Sequence, residues 1–113
     1  MLITKTTVHK KENGAACTIW EYDFNKQDLG FSRVQINGRY PATGKVANTA
    51  CDLIYFVLSG SCTIHVDQTA IQLKQHDAFF LQRNKKYFVI GDQAMCTLVE
   101  SPRWTVEQLR KVE

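Results

Sequence analysis

A chain of 113 residues holds one domain with a hydrophobic core and is too short for two. Its 44% apolar and 22% charged residues are those of an ordinary globular protein, which disfavours disordered and membrane-spanning classes. The formal net charge of +3 comes from scattered Lys and Arg, densest at Lys10-Lys11 and from Arg83 to Lys86, and lacks the basic stripe of a nucleic-acid face.

In chain order, the β-branched residues from Thr4 to Val8 predict a first strand, and Lys10-Lys11-Glu12-Asn13-Gly14 a polar turn whose Asn-Gly pair favours positive φ. The return strand carries Cys17, Ile19 and Tyr22, with Trp20 on the other face, and Asn25 to Gly30 closes it as a loop. Phe31, Val34 and Ile36 begin another strand, ended by Pro41, which cannot donate to a ladder. Ala42 to Thr49 is small and polar and reads as loop or frayed strand. Leu53 to Gly60 is an unbroken apolar run, predicted to be a strand buried on both faces.

After Gly60, Cys62, Ile64 and Val66 alternate with Thr63, His65 and Asp67 in a strand of period two. Short strands follow at Ile71 to Leu73 and at Ala78 to Leu81, the latter apolar on both faces. Beyond the charged loop Gln82 to Lys86 come a strand at Tyr87 to Ile90, a turn at Gly91 to Gln93, and a last strand at Met95 to Val99. Thr105-x-x-Gln108 forms a capping box that predicts one short terminal helix with Val106 and Leu109 on one side. Roughly ten short strands joined by tight turns and followed by one helix predict an all-β sandwich or small barrel.

Cys17, Cys51, Cys62 and Cys96 lie far apart in apolar surroundings without C-x-x-C pairing, as reduced core thiols do. No basic leader followed by an apolar segment precedes the first strand, and no apolar run approaches a membrane span, so the expected compartment is the cytoplasm, without membrane or nucleic-acid partners.

The strand ending in Tyr55-Phe56-Val57-Leu58-Ser59-Gly60, the alternating strand after it, and His76-Asp77-Ala78-Phe79-Phe80-Leu81 resemble the cupin superfamily over roughly Phe31 to Pro102. The resemblance implies a double-stranded β-helix, or jelly-roll barrel, in a single domain spanning 1–113, with its core motifs at about 31–102 and a short C-terminal helical tail at 103–113. In the first cupin motif, G-x5-H-x-H-x3,4-E-x6-G, the last glycine matches Gly60; Leu53 then stands where the glutamate belongs and Val46 to Thr49 where the histidines belong. In the second, G-x5-P-x-G-x2-H-x3-N, Gln82 stands for the proline, Asn84 for the glycine, Tyr87 for the histidine and Gly91 for the asparagine. Asn37 to Pro41, Asn48 to Cys51 and Pro102-Arg103-Trp104 look similar to small stand-alone cupins that also lack the histidine ligands.

A cupin metal needs imidazole and carboxylate donors converging on one point, which Leu53 and Tyr87 cannot supply, and His9, His65 and His76 share no ligand spacing. No metal and no cofactor is therefore expected. If the central strand alternates, Leu53, Tyr55 and Val57 face the barrel interior, while Ile54, Phe56 and Leu58 face out and call for cover by a second subunit, an isologous homodimer. The alternative is cover within one chain, by the other sheet or the N-terminal hairpin. Candidate ligand-binding residues are Asn48, Cys51, Tyr55, Gln82 and Tyr87, with Trp104 closing one mouth; each also has a purely structural role open to it, as core aromatic, turn residue, inert thiol or packing anchor. Apolar walls, an amide, phenols and an indole suit a small polar-apolar ligand such as a sugar derivative or small acid. The leading expectation is a metal-independent small-molecule binding or sensing domain. Alternatives are a metal-independent sugar isomerase or epimerase, with His65 or Tyr87 as base, and a ligand-free structural or protein-binding module.

Overall fold

A computed structural model describes residues 1–112, which form nine strands: β1 His9–Glu12, β2 Cys17–Tyr22, β3 Gly30–Tyr40, β4 Lys45–Asn48, β5 Asp52–Val66, β6 Thr69–Leu73, β7 Ala78–Leu81, β8 Tyr87–Ser101 and β9 Leu109–Val112. All ladders are antiparallel. Two elements of fifteen residues, β5 and β8, pair from Asp52↔Ser101 to Val66↔Tyr87. On the far side of β8 lies β3, followed by β2 and β1, while β7 and β6 pair in turn with the two halves of β5. Neither the Leu53 run nor Tyr87 to Ile90 is a separate short strand, as the glycines at 60 and 91 had suggested. Each long strand runs through its glycine and bends.

The bends are built from local backbone. The β5–β8 register slips on both sides of Ser59, and the β3–β8 register slips between Ile36 and Gly38. Gly60 sits at φ 71° against the Gln93 carbonyl, which a Cβ would overlap, and Gln93 itself takes φ 47°. Bulges of this kind let one strand turn a corner and serve both walls of a barrel.

Side chains alternate along β5, with Leu53, Tyr55 and Val57 buried and Ile54 and Leu58 exposed. The expectation of burial on both faces is therefore corrected, and the apolar strand β7 lies at the sheet's edge with Phe80 exposed. An outward row, Tyr22, Phe31, Val99, Ile54 and Phe80, runs across neighbouring strands, so the apolar parity of the run reflects a sheet face rather than a second core layer. Inside, Ile36, Val57, Ile64, Val89, Cys51 and Cys96 are fully buried. Removing each such aliphatic side chain from water contributes roughly 1.5–3 kcal/mol. Cys17, Cys51, Cys62 and Cys96 are all buried free thiols.

Two termini differ from expectation. The first strand is His9–Glu12 instead of Thr4 to Val8, because Lys10, Lys11 and Glu12, read as turn, pair with Trp20, Ile19 and Thr18 in that order. The terminal helix is replaced by a 3-10 turn, Val106–Gln108, and by β9, which lies along β4. Thr105 makes no side-chain cap, and the Gln108 side chain donates instead to the Arg103 carbonyl (3.2 Å). The open edge of β4 offers the tail a ladder that an isolated helix of about one turn cannot match. No helix among the described residues is long and apolar enough to cross a membrane.

The corner at Gly60 yields a stability prediction. Gly60→Ala meets both an unfavourable φ and the Gln93 carbonyl, and is expected to lower stability by about 2 kcal/mol or more in urea unfolding. Gly14→Ala, at φ 108° with nothing within 4 Å, carries only the φ cost and should lower it by about 1 kcal/mol.

Candidate functional site

The strands enclose a cavity of about 210 Å³. One wall is the inward face of the long sheet: Cys17 and Ile19 from β2, Ser32, Val34 and Ile36 from β3, Leu53 and Tyr55 from β5, Leu98 and Glu100 from β8. Tyr40, Asn48, Tyr87, Trp104 and Leu109 complete it, and His9, Lys11, Asn13 and Glu21 stand on its β1–β2 side. The far half of β5 does not reach the cavity; Cys62, Ile64 and Val66 pack with Leu73 and Val89 as a buried plug. The structure thus brings Asn48, Tyr55, Tyr87 and Trp104 together around one space.

Cys51 and Gln82 do not join them and stand outside the cavity lining. Cys51 is wholly buried outside the cavity lining, and burial, with the charges of Glu100 and Asp52 adding, pushes its thiol up to about 12. Gln82 is exposed because the chain turns outward after β7. Arg83 fixes that turn on Asp52 through its backbone N–H (2.9 Å) and its guanidinium (3.2 and 3.1 Å). His65 lies on the outer face of β5, stacked on Phe88 with ring centroids 4.2 Å apart, so the isomerase reading loses that base.

Polar groups in the cavity are held by specific partners. The Trp104 indole N–H donates to Asn48 Oδ1 (2.9 Å), tying the tail to β4, and Asn13 donates to the Tyr40 hydroxyl (2.9 Å). Burial raises the phenols of Tyr55 and Tyr87 above the ordinary tyrosine value, so both remain neutral donors and acceptors.

The residue that sequence reasoning missed is Glu100. It is 8% exposed and accepts from the Trp104 backbone N–H (3.2 Å) and the Ser32 hydroxyl (3.4 Å). Burial, with Glu21 adding, raises its pKa, and these two hydrogen bonds offset the rise in part. Gly30 leaves the room for it: a Cβ there would overlap the carboxylate. The signal was present in the alternation, since Ala94, Cys96, Leu98 and Glu100 share one parity and one buried face.

Whether a cupin-type metal fits can be judged from the donors. Leu53 is cross-strand neighbour to Glu100, so a carboxyl does stand beside the position where the motif would carry its glutamate. Imidazoles do not converge on it, and among the described residues no group of three or more His, Cys, Asp or Glu side chains is placed to hold a metal ion. The residues do not fit that metal.

No family model and no curated protein matches the sequence. Solved structures do. Pac13 of Streptomyces, described as a unique nucleoside dehydratase, superposes with a TM-score of 0.89 over 100% of this chain and 91% of its own, at 15% identity. A sugar phosphate isomerase of the cupin superfamily from Silicibacter pomeroyi gives 0.70 over 89% of this chain and 75% of its own, at 8% identity, and KdgF of Halomonas gives 0.69 over 85% and 89%, at 16%. The fold is that of a cupin. At such identities the likeness is one of fold alone, and the chain's chemistry has to be read from its own cavity.

Glu100 makes a pH prediction with a definite sign. Its folded pKa is raised, so its carboxyl favours the folded state below the ordinary glutamate value of 4.5 and that contribution is lost as pH rises through the folded pKa. Asp52 and Asp23, held low by Arg83 and by Asn25 with Arg103, act in the opposite sense, so the comparison must be made against a variant. Thermal midpoints of Glu100→Gln and the parent should coincide near pH 4 and separate toward pH 7, with the variant the more stable.

Proposed function

We propose that the cavity binds a small polyhydroxylated molecule, a sugar or nucleoside derivative, without help from a metal. The observation that carries this reading is the make-up of the cavity: apolar walls from Val34, Ile36, Leu53 and Leu98, with Tyr55, Tyr87, Asn48, Ser32 and Glu100 placed around one enclosed volume. Phenols supply flat apolar contact together with a hydroxyl at one end, which matches a ring compound bearing alternate hydroxyl groups and C–H faces. Similarity to a nucleoside dehydratase and to a sugar phosphate isomerase points to the same ligand class, and structures of variants of the former with uridine make nucleosides natural first probes.

A second reading, acid–base turnover of the bound molecule, is favoured by Glu100. A carboxyl that keeps its proton above the usual range, in an apolar cavity that two neutral phenols also line, can pass that proton to a ligand oxygen and take it back. With His65 on the outer face, Glu100 replaces it as the acid–base candidate, and Tyr87, which lines the same cavity, remains the other.

Thermal midpoints measured across a panel of nucleosides and sugars at millimolar concentration test the binding reading, because a ligand that binds only the folded chain must raise the midpoint. For a ligand so found, Tyr87→Phe should weaken affinity by about five- to tenfold, the loss of one hydrogen bond worth about 1 kcal/mol, read as a smaller ligand-induced rise from the variant's own unliganded midpoint. A panel in which no member shifts the midpoint overturns the reading. Glu100→Gln separates the two: it should retain binding within a few-fold and, where turnover of that ligand is seen, abolish it.

A further inference from the structure

At the β1–β2 side of the cavity the charges are unevenly spent. His9 and Lys11 occupy alternate positions on β1, opposite Glu21 and Ile19, and both line the cavity. Their neighbours Lys10 and Glu12 do not line it and pair with each other (3.8 Å). The carboxylates on this side are already engaged, since Arg103 takes Glu21 at 3.3 Å with one guanidinium nitrogen and Asp23 at 2.8 Å with another. Among the described residues neither Lys11 nor His9 takes part in an ion pair. The Lys11 ammonium instead lies over the Trp104 ring, 5.5 Å from its centroid.

Beyond the cavity, the surface continues into a shallow groove lined by Gln27, Arg103, Thr105 and Val106, with Lys11, Glu21 and Trp104 common to both. A molecule seated in the cavity and extending outward would therefore pass Trp104 and meet Lys11 first. The geometry points to an oxyanion subsite at this mouth, in which Lys11, flanked by His9, receives the phosphate or carboxylate of a ligand whose polyhydroxylated body fills the cavity. It rests on the binding reading above and narrows it: the ligand class is a sugar or nucleoside acid or phosphate monoester rather than a neutral sugar. Lys is suited to this role as a compact point charge with three rotatable donors, and its position over an indole face holds it near the mouth without neutralising it.

The test uses the full-length protein and matched ligands at fixed, near-physiological salt: ribose against ribose 5-phosphate, uridine against uridine 5′-monophosphate, glucose against glucuronate and glucose 6-phosphate, with inorganic phosphate alone as a further arm. In at least one matched set the anionic member should bind about tenfold or more tighter than its neutral partner, a difference of ~1.4 kcal/mol. The glucuronate and glucose 6-phosphate arms distinguish a carboxylate from a phosphate. Lys11→Gln should reduce that preference to within about twofold, the loss falling mainly on the anionic member; Lys10→Gln, one residue away and outside the cavity lining, should keep it. High salt should narrow the gap in the parent and not in Lys11→Gln. Neutral members that bind as tightly as anionic ones, or a preference that survives Lys11→Gln, overturn the subsite and leave the cavity reading standing. Should no neutral or anionic member bind at all, both fall.

Discussion

The pairing of β5 with β8 is the interaction on which the rest of the structure depends. A ladder from Asp52↔Ser101 to Val66↔Tyr87 needs two strands far longer than the usual five or six residues, and a straight ribbon of that length would expose its inner face to water. Curling the ladder resolves this. Gly60 and Gln93 supply the left-handed backbone for the corner, and the register slip at Ser59 takes up the difference in path length. Once β5 and β8 curl together, β3 follows along β8's other edge and the inner faces enclose a common volume.

The same ladder places the chemistry. Tyr55 is opposite Leu98 and Leu53 is opposite Glu100, so a phenol and a carboxyl stand on adjacent strands of one wall, while Tyr87, at the other end of β8, returns to the cavity from across the bend. Glu100 is tolerated in this apolar setting because Ser32 and the Trp104 backbone donate to it and Gly30 yields the space. A buried carboxyl without such donors would cost several kcal/mol in its charged form. The tail also closes the arrangement: Trp104 reaches Asn48, and β9 covers the edge of β4, so Trp104 and Leu109 form part of the cavity wall.

Much of the site was legible because strands have period two. From the parity of Leu53, Tyr55 and Val57 the inward face of β5 follows directly, and the absence of imidazole and carboxylate at the cupin ligand positions is a property of composition that no fold can alter. Glu100 was legible by the same parity and was missed because a charged residue beside Ser101-Pro102 reads as the end of a strand. Gln82 and Cys51 lie away from the cavity for a reason the parity does not carry. Their positions depend on where a loop is pinned, and the pin is an ion pair between Arg83 and Asp52, thirty-one residues apart. Lys10 to Glu12 were read as turn because local charge is a turn signal, whereas their strand conformation comes from pairing with β2.

From the sequence by itself came the all-β class, the inward parity of the central strand, the reduced core thiols and the lack of cupin metal ligands. These follow from residue type and short-range alternation, which are local. Only the tertiary structure decided that the glycines at 60 and 91 lie within continuous strands, that Leu109–Val112 add a strand instead of a helix, and that Glu100, Lys11 and Trp104 meet at one cavity. Each of these is settled by backbone pairing or desolvation between segments distant in the chain, and such contacts acquire their free energy only when the barrel has closed.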